Sequence, residues 1–258
     1  MNGPIGLFDS GFGGLTVMRE LIEWLPNESF VYLGDTANLP YGNKSPETVI
    51  RYARANAAFL MSQGIKLLVI PCHTASCHAL DVLRQELPIP VVGMIEPGLQ
   101  LVQPFQRIAI LGTASTIASG LYQTQIAQCA PQVKIFAQAC PLFVPLIEEG
   151  FHEHESAYLI AQSYLEELKG KIDAALLACT HYPLLRKVLS AVLGPDIALI
   201  EPAVSAAKSV KAILMQKNLL RTHPESPRHQ FFASDDPEKF RKFGKLFLGQ
   251  SIEKVEKK

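Results

Sequence analysis

Three observations predict an α/β fold of two similar lobes, each a mostly parallel sheet flanked by helices. Short apolar runs alternate along the chain with longer stretches of helical periodicity. Most of these runs are apolar at successive positions rather than alternate ones, the pattern of strands covered on both faces. Two of them, Leu67–Ile70 and Ala174–Ala178, lead into a cysteine that is followed by small polar residues and a histidine. Alternating strands and helices imply parallel sheets joined by crossovers. The repeated strand ending implies two related halves.

In chain order the expected strands are Ile5–Phe8, Phe30–Leu33, Leu67–Ile70, Val91–Ile95, Ile108–Leu111, Lys134–Ala137, Ala174–Ala178, Ile197–Ile200 and Gln230–Phe232. The segments between them read as helices. Ser45 suits an N-cap and Pro46 the first helical position. Val49, Ala53, Ala57 and Leu60 then recur at helical spacing, and Gly64 is a natural stop. Helical stretches are also expected after Asp9, Thr74, Thr113, His154, Thr180 and Pro202. Pro97-Gly98 and Glu201-Pro202 each follow a strand and mark expected crossings between lobes. One lobe then holds residues 1–97 plus 206–258 and the other residues 98–205. The tail from Lys254 to Lys258 reads as a solvated end.

Bulk properties narrow the function. With 24 basic and 24 acidic side chains the net charge is zero, which gives no electrostatic footprint for nucleic acid. No apolar stretch approaches the length of a membrane span. The stretch from Met1 to Asp9 lacks the basic and apolar regions of a signal peptide. Five cysteines, an odd number without close spacing, point to free thiols in a reducing compartment. A cytoplasmic enzyme of a small metabolite is expected.

The residues that can carry chemistry fall at strand ends, where α/β sheets collect ligands. Asp9-Ser10-Gly11-Phe12-Gly13-Gly14 follows a strand and opens a helix, and its glycines expose backbone N–H groups. It is a poor dinucleotide site, since Thr16 stands where the third fingerprint glycine belongs and Asp9 repels a pyrophosphate. A small acid bearing an ammonium group fits better. Gly34-Asp35-Thr36 and Pro40-Tyr41-Gly42 mark a loop over the sheet. There the Tyr41 hydroxyl and Gly42 amide can meet a carboxylate. Cys72 and Cys179 are the remaining candidates. A thiol between a strand end and a helix start lies where the helix dipole favours its thiolate. Two such thiols facing one substrate suit removal of a proton from one face of a carbon and return to the other. Asp9 can act with Cys72, and His181 with Cys179. A zinc reading of Cys72, His73, Cys77 and His78 competes, but a Cys72–Cys77 spacing is unusual for structural zinc. Cys77, Cys129 and Cys140 read as structural. Composition places Glu148 and Glu149 on the surface.

Together these segments resemble the glutamate racemases of the cofactor-independent aspartate/glutamate racemase family. The resemblance rests on Asp9–Gly14, Gly34-Asp35-Thr36, Pro40-Tyr41-Gly42, Cys72 with Thr74-Ala75, Gly112-Thr113, and Ala178-Cys179-Thr180-His181-Tyr182-Pro183. Pro141–Pro145 with Glu149, and His229-Gln230-Phe231, also fit. It implies interconversion of L- and D-glutamate for peptidoglycan synthesis, with no cofactor and no metal, often in a homodimer. It makes Cys72 and Cys179 the two proton carriers, with Cys179 acting first on L-glutamate. It assigns substrate contacts to Asp9, Ser10, Tyr41, Gly42, His73, Thr74, Thr180 and His181, and support of His181 to Glu149. Two positions depart from the pattern. His73 stands where the family has Asn, and Pro71 where it has a small residue. His73 motivates two alternatives: a racemase or epimerase of aspartate or diaminopimelate, or a glutamate-binding relative with weak turnover.

Overall fold

The computed structural model describes residues 3–222 and 226–258, so Met1 and Asn2 of the N-terminal stretch lie outside the described residues. The first part of the chain folds as β1 (Ile5–Asp9), α1 (Leu15–Trp24), β2 (Phe30–Gly34), α2 (Pro46–Ser62), β3 (Leu67–Val69), α3 (His73–Glu86), β4 (Val91–Val92) and α4 (Ile95–Leu99). The second part runs β5 (Arg107–Gly112), α5 (Ala114–Ala118), α6 (Leu121–Cys129), β6 (Lys134–Ala139), α7 (Phe143–Glu148), α8 (Glu155–Leu165), β7 (Ala174–Ala178), α9 (Arg186–Leu193) and β8 (Ala198–Ile200). The chain then returns through α10 (Ala203–Gln216), β9 (His229–Ala233), α11 (Pro237–Leu248) and β10 (Glu256–Lys257).

These strands form two sheets, and every pairing is parallel. One has the order β10-β9-β2-β1-β3-β4 and the other β6-β5-β7-β8. The two share a plan. In the first sheet β1 is flanked by β2 and β3, and in the second β5 is flanked by β6 and β7. The strand order therefore reverses at β1/β3 and again at β5/β7. Such switch points open a crevice at the carboxyl ends of the strands. Asp9 ends β1, Cys72 follows β3, Thr113 follows β5 and Cys179 follows β7.

Packing follows the apolar pattern. β1, β2 and β7 are buried along their whole length. Side chains from both sheets enter one apolar cluster, which joins Phe12 and Phe240 to Phe143 and Tyr182. Helix α2 starts as its sequence dictates. The Thr48 N–H donates to Ser45 Oγ at 3.3 Å, and Pro46 takes the first position. Such a cap contributes about 1 kcal/mol.

Two expectations need correction. Only Val91 and Val92 of the Val91–Ile95 run form a strand; the chain turns at Gly93 and enters α4 at Ile95. The tail is not simply solvated. Glu256 and Lys257 pair with β9, and Lys258 Nζ donates to Asn56 Oδ1 at 2.8 Å.

Candidate active site

The crevice between the sheets holds a cavity of about 370 Å³, counted out to its open mouth. Cys72 and Cys179 both line it, with Ser10, Tyr41, Gly42, His73, Thr74, Thr180 and His181. Nine of the predicted site residues thus surround one space. Asp9 and Glu149 do not reach it.

Cys72 is the N-cap of α3, and its sulfur accepts from the Ala75 N–H at 3.5 Å. Its thiol donates to Ser10 Oγ at 3.9 Å. Burial and then the nearby Asp9 charge push the thiol up to about 12, despite the helix amides. Cys179 lacks a capped α-helix. After Thr180 and His181 comes a short 3₁₀ turn at Tyr182–Leu185, and α9 begins only at Arg186. Burial raises its thiol well above the ordinary value too, and electrostatic interaction with Cys72, Asp9 and Glu148 adds to the rise. The expectation that helix dipoles favour both thiolates is therefore corrected. Desolvation outweighs the dipole, and both sulfurs rest as thiols.

A base accompanies Cys179. His181 Nδ1 lies 4.0 Å from Cys179 Sγ, and His181 Nε2 donates to Glu148 Oε1 at 3.1 Å. The carboxylate fixes the proton on Nε2 and leaves the Nδ1 lone pair for the thiol. Glu148, not Glu149, supports His181. Helix α7 ends at Glu148 and carries it into the cavity, while Glu149 faces an outer apolar depression beside Leu142 and Phe151. The surface reading of Glu148 fails with it, since its side chain is only 10% exposed.

Asp9 sits behind the cavity wall, fully buried. Its Oδ1 accepts from the Gly11 N–H at 3.0 Å, and its Oδ2 from Thr180 Oγ1 at 3.4 Å. Burial raises its pKa, and His181 partly counters this. Asp9 thus braces β1 against the Cys179 loop from behind the residues that line the cavity. Gly13 shows how close that brace is. A Cβ there would collide with Thr180 Oγ1 and His181 Nδ1. Phe12 anchors the same loop by stacking on Phe243 at 4.7 Å, and Phe247 meets His181 edge-on at 5.2 Å.

Tyr41 departs from expectation. Its hydroxyl donates to Asp35 Oδ2 at 2.5 Å and accepts from Asn56 Nδ2 at 3.0 Å. The side chain locks the loop, and its hydroxyl is engaged away from any substrate carboxylate. Thr74 Oγ1 meets Thr113 Oγ1 at 2.9 Å and Thr116 Oγ1 at 3.0 Å, so three hydroxyls join the halves. His73 Nδ1 lies 2.8 Å from the Tyr122 hydroxyl, and burial lowers its pKa to about 3, keeping it neutral. Sequence reasoning gives no functional role to Glu148 and does not single out Tyr122. All five cysteines are free. Among the described residues no helix is long and apolar enough to cross a membrane.

Known proteins resemble this chain closely. The Asp/Glu/Hydantoin racemase family model matches residues 5–210. The glutamate racemase of Geobacter metallireducens is 47% identical over 252 residues, covering 96% of this chain and 93% of that protein. The glutamate racemase of Chlorobaculum tepidum is 43% identical, covering 98% and 95%. Among solved structures, glutamate racemase from Francisella tularensis in complex with D-glutamate aligns with a TM-score of 0.94 at 38% identity, covering 100% of this chain and 97% of that one. The Thermus thermophilus glutamate racemase in complex with beta-chloro-D-alanine aligns at 0.91 and 40%, covering 100% and 97%. The paired thiols, the doubled sheet plan and these likenesses agree: the chain belongs to the Asp/Glu/Hydantoin racemase family, as an isomerase of the amino-acid racemase type that stands among the glutamate racemases.

Proposed function

We propose that this enzyme interconverts L- and D-glutamate by two-base proton transfer at the α-carbon. The observation that carries the reading is the pair of buried thiols at equivalent strand ends, lining one cavity. On L-glutamate, Cys179 acts first. His181 Nδ1 takes the Cys179 proton, and Glu148 stabilises the imidazolium. The thiolate removes the α-proton from one face, and the Cys72 thiol delivers its own proton to the other. Cys72 is left as a thiolate and Cys179 as a thiol, the starting state for D-glutamate, and the proton still held on His181 returns to Cys72 by way of solvent to restore the two resting thiols. Asp9 is fully buried, and its carboxylate raises the Cys72 thiol. Residues bearing on the ligand are Ser10, Gly42, His73, Thr74, Thr180 and His181. The Thr74, Thr113 and Thr116 hydroxyls and the Asp9–Thr180 bond hold the halves together and keep water from the reacting carbon.

The substrate assignment is supported by the glutamate racemases to which the chain is similar, one of them holding D-glutamate. The same reading makes the enzyme a cytoplasmic homodimer that supplies D-glutamate for peptidoglycan synthesis. The test is α-deuterium uptake from heavy water into a panel of L- and D-amino acids. Glutamate should exchange fastest. Cys72→Ser and Cys179→Ser should each lower racemisation about 10²–10⁴-fold, the usual worth of a proton-transfer group. Normal turnover without either sulfur would end the two-thiol mechanism. Faster exchange with aspartate or diaminopimelate would reassign the substrate.

A further inference from the structure

We infer that Tyr122 is a positioning residue that fixes His73 as the Nδ1–H tautomer, so that His73 Nε2 is presented to the cavity as an acceptor for the substrate ammonium. The inference rests on the glutamate reading above and adds a residue to it.

The hydrogen bonds decide the tautomer. The Tyr122 hydroxyl lies 3.0 Å from the Met94 carbonyl oxygen and 2.8 Å from His73 Nδ1. A phenol has one proton to give. If it went to His73, two oxygen acceptors would face each other at 3.0 Å with no hydrogen between them. With the phenol donating to Met94, its oxygen accepts from His73 Nδ1–H, and all three groups are satisfied. A neutral imidazole protonated at Nδ1 carries its lone pair at Nε2.

The other end of the ring is open. His73 lines the cavity. Its Nε2 has no partner among the described residues, and it is not one of the unpartnered side-chain nitrogens sealed from the surface. A neutral acceptor next to Cys72 suits an ammonium group, which has only protons to give. A donor at that point would oppose it. The acceptor role that an Asn amide oxygen can fill is thus filled by a histidine with a locked tautomer. The partner is Tyr122, 49 positions away on α6 of the other sheet's lobe.

Three measurements test this on the full-length enzyme. In ligand-free protein, ¹⁵N NMR of His73 should show a protonated Nδ1 and an unprotonated Nε2. A protonated Nε2 overturns the inference at once, and this needs no variant. Tyr122→Phe removes the acceptor for Nδ1–H, so the proton should shift to Nε2. The KM for glutamate should then rise about tenfold with kcat little changed, as for loss of a charge-assisted bond made equally in ground and transition states. Competitive binding of glutarate, which has no ammonium, should not change. Equal weakening of glutarate means general disturbance of the pocket and overturns the proposal. Finally, adding Tyr122→Phe to His73→Asn should change KM less than about twofold, because the histidine it serves is gone. A full tenfold rise in that background assigns Tyr122 a role unrelated to His73. If wild-type enzyme exchanges no α-proton of glutamate, the racemase reading fails instead, and the NMR result still decides the tautomer.

Discussion

Cys72 and Cys179 occupy matching places in two sheets of one plan, yet their surroundings differ. Cys72 caps a 14-residue helix and takes an amide hydrogen bond from Ala75. Burial pushes the thiol up, and a buried carboxyl, Asp9, adds to the rise. Cys179 caps no such helix, but has a histidine 4.0 Å from its sulfur and a carboxylate behind that histidine. One half offers a dipole and a negative charge, the other a base. Burial raises both thiols, so position at a strand end does not by itself activate a cysteine. The neighbours do, and here they are unequal.

Apart from loss of either sulfur, the largest effect should come where the halves meet. Gly13→Ala would thrust a methyl group into Thr180 and His181. Displacing His181 by about 1 Å should cost about a hundredfold in kcat/KM. Overpacking of this kind costs about 1–3 kcal/mol of stability, visible in a thermal melt. Unchanged kinetics would mean that the loop yields and that His181 does not depend on the contact.

The next effect separates the halves. Glu148→Gln leaves His181 without its charged partner, and kcat/KM should fall about tenfold to a hundredfold. Glu149→Gln should change it less than about twofold. L- and D-glutamate are mirror images with an equilibrium constant of one, so kcat/KM must fall equally in both directions. The asymmetry belongs elsewhere. The primary deuterium isotope effect should grow mainly in the direction that begins with abstraction by Cys179. Equal growth in both directions would show that Glu148 serves the two thiols alike.

These particulars also show what was legible in the chain. The two buried strand endings at Cys72 and Cys179 stood out because a fully covered strand has to be continuously apolar. The pairing of Glu148 with His181 did not. Two adjacent glutamates at the end of a short helix differ only in helical phase, and the placement of α7 against the Tyr182 turn decides which one turns inward. The resemblance assigns Asp9 a substrate contact, and nothing in the local sequence shows that its carboxylate turns under the glycine loop to meet Gly11 and Thr180. Tyr122 sits among apolar residues of α6, and nothing local reveals that its hydroxyl serves a histidine from the other lobe. The β10 pairing was hidden because a charged, exposed tail carries no apolar pattern to announce a strand.

The smallest effect concerns the thiols themselves. Cys72 ionises near 9.0 when exposed and near 12 when folded. The folded state therefore holds the proton more tightly. Its contribution to stability is complete below about pH 9 and is lost as pH rises from there toward 12. Between pH 9 and 10 this one group should steepen the loss by about 0.7 kcal/mol per pH unit at first, rising toward about 1.4, and the contribution of the tyrosines cancels when wild type is compared with a variant that keeps them. Urea unfolding of wild type and Cys72→Ser across that window would measure it. The slope of stability against pH is the quantity to compare, since the substitution also shifts the intercept. A gentler slope in the variant agrees with a sulfur that burial keeps protonated. Identical slopes would mean that the helix amides at Ala75 hold the thiolate as well as water does, and the dipole would then outweigh burial at Cys72 after all.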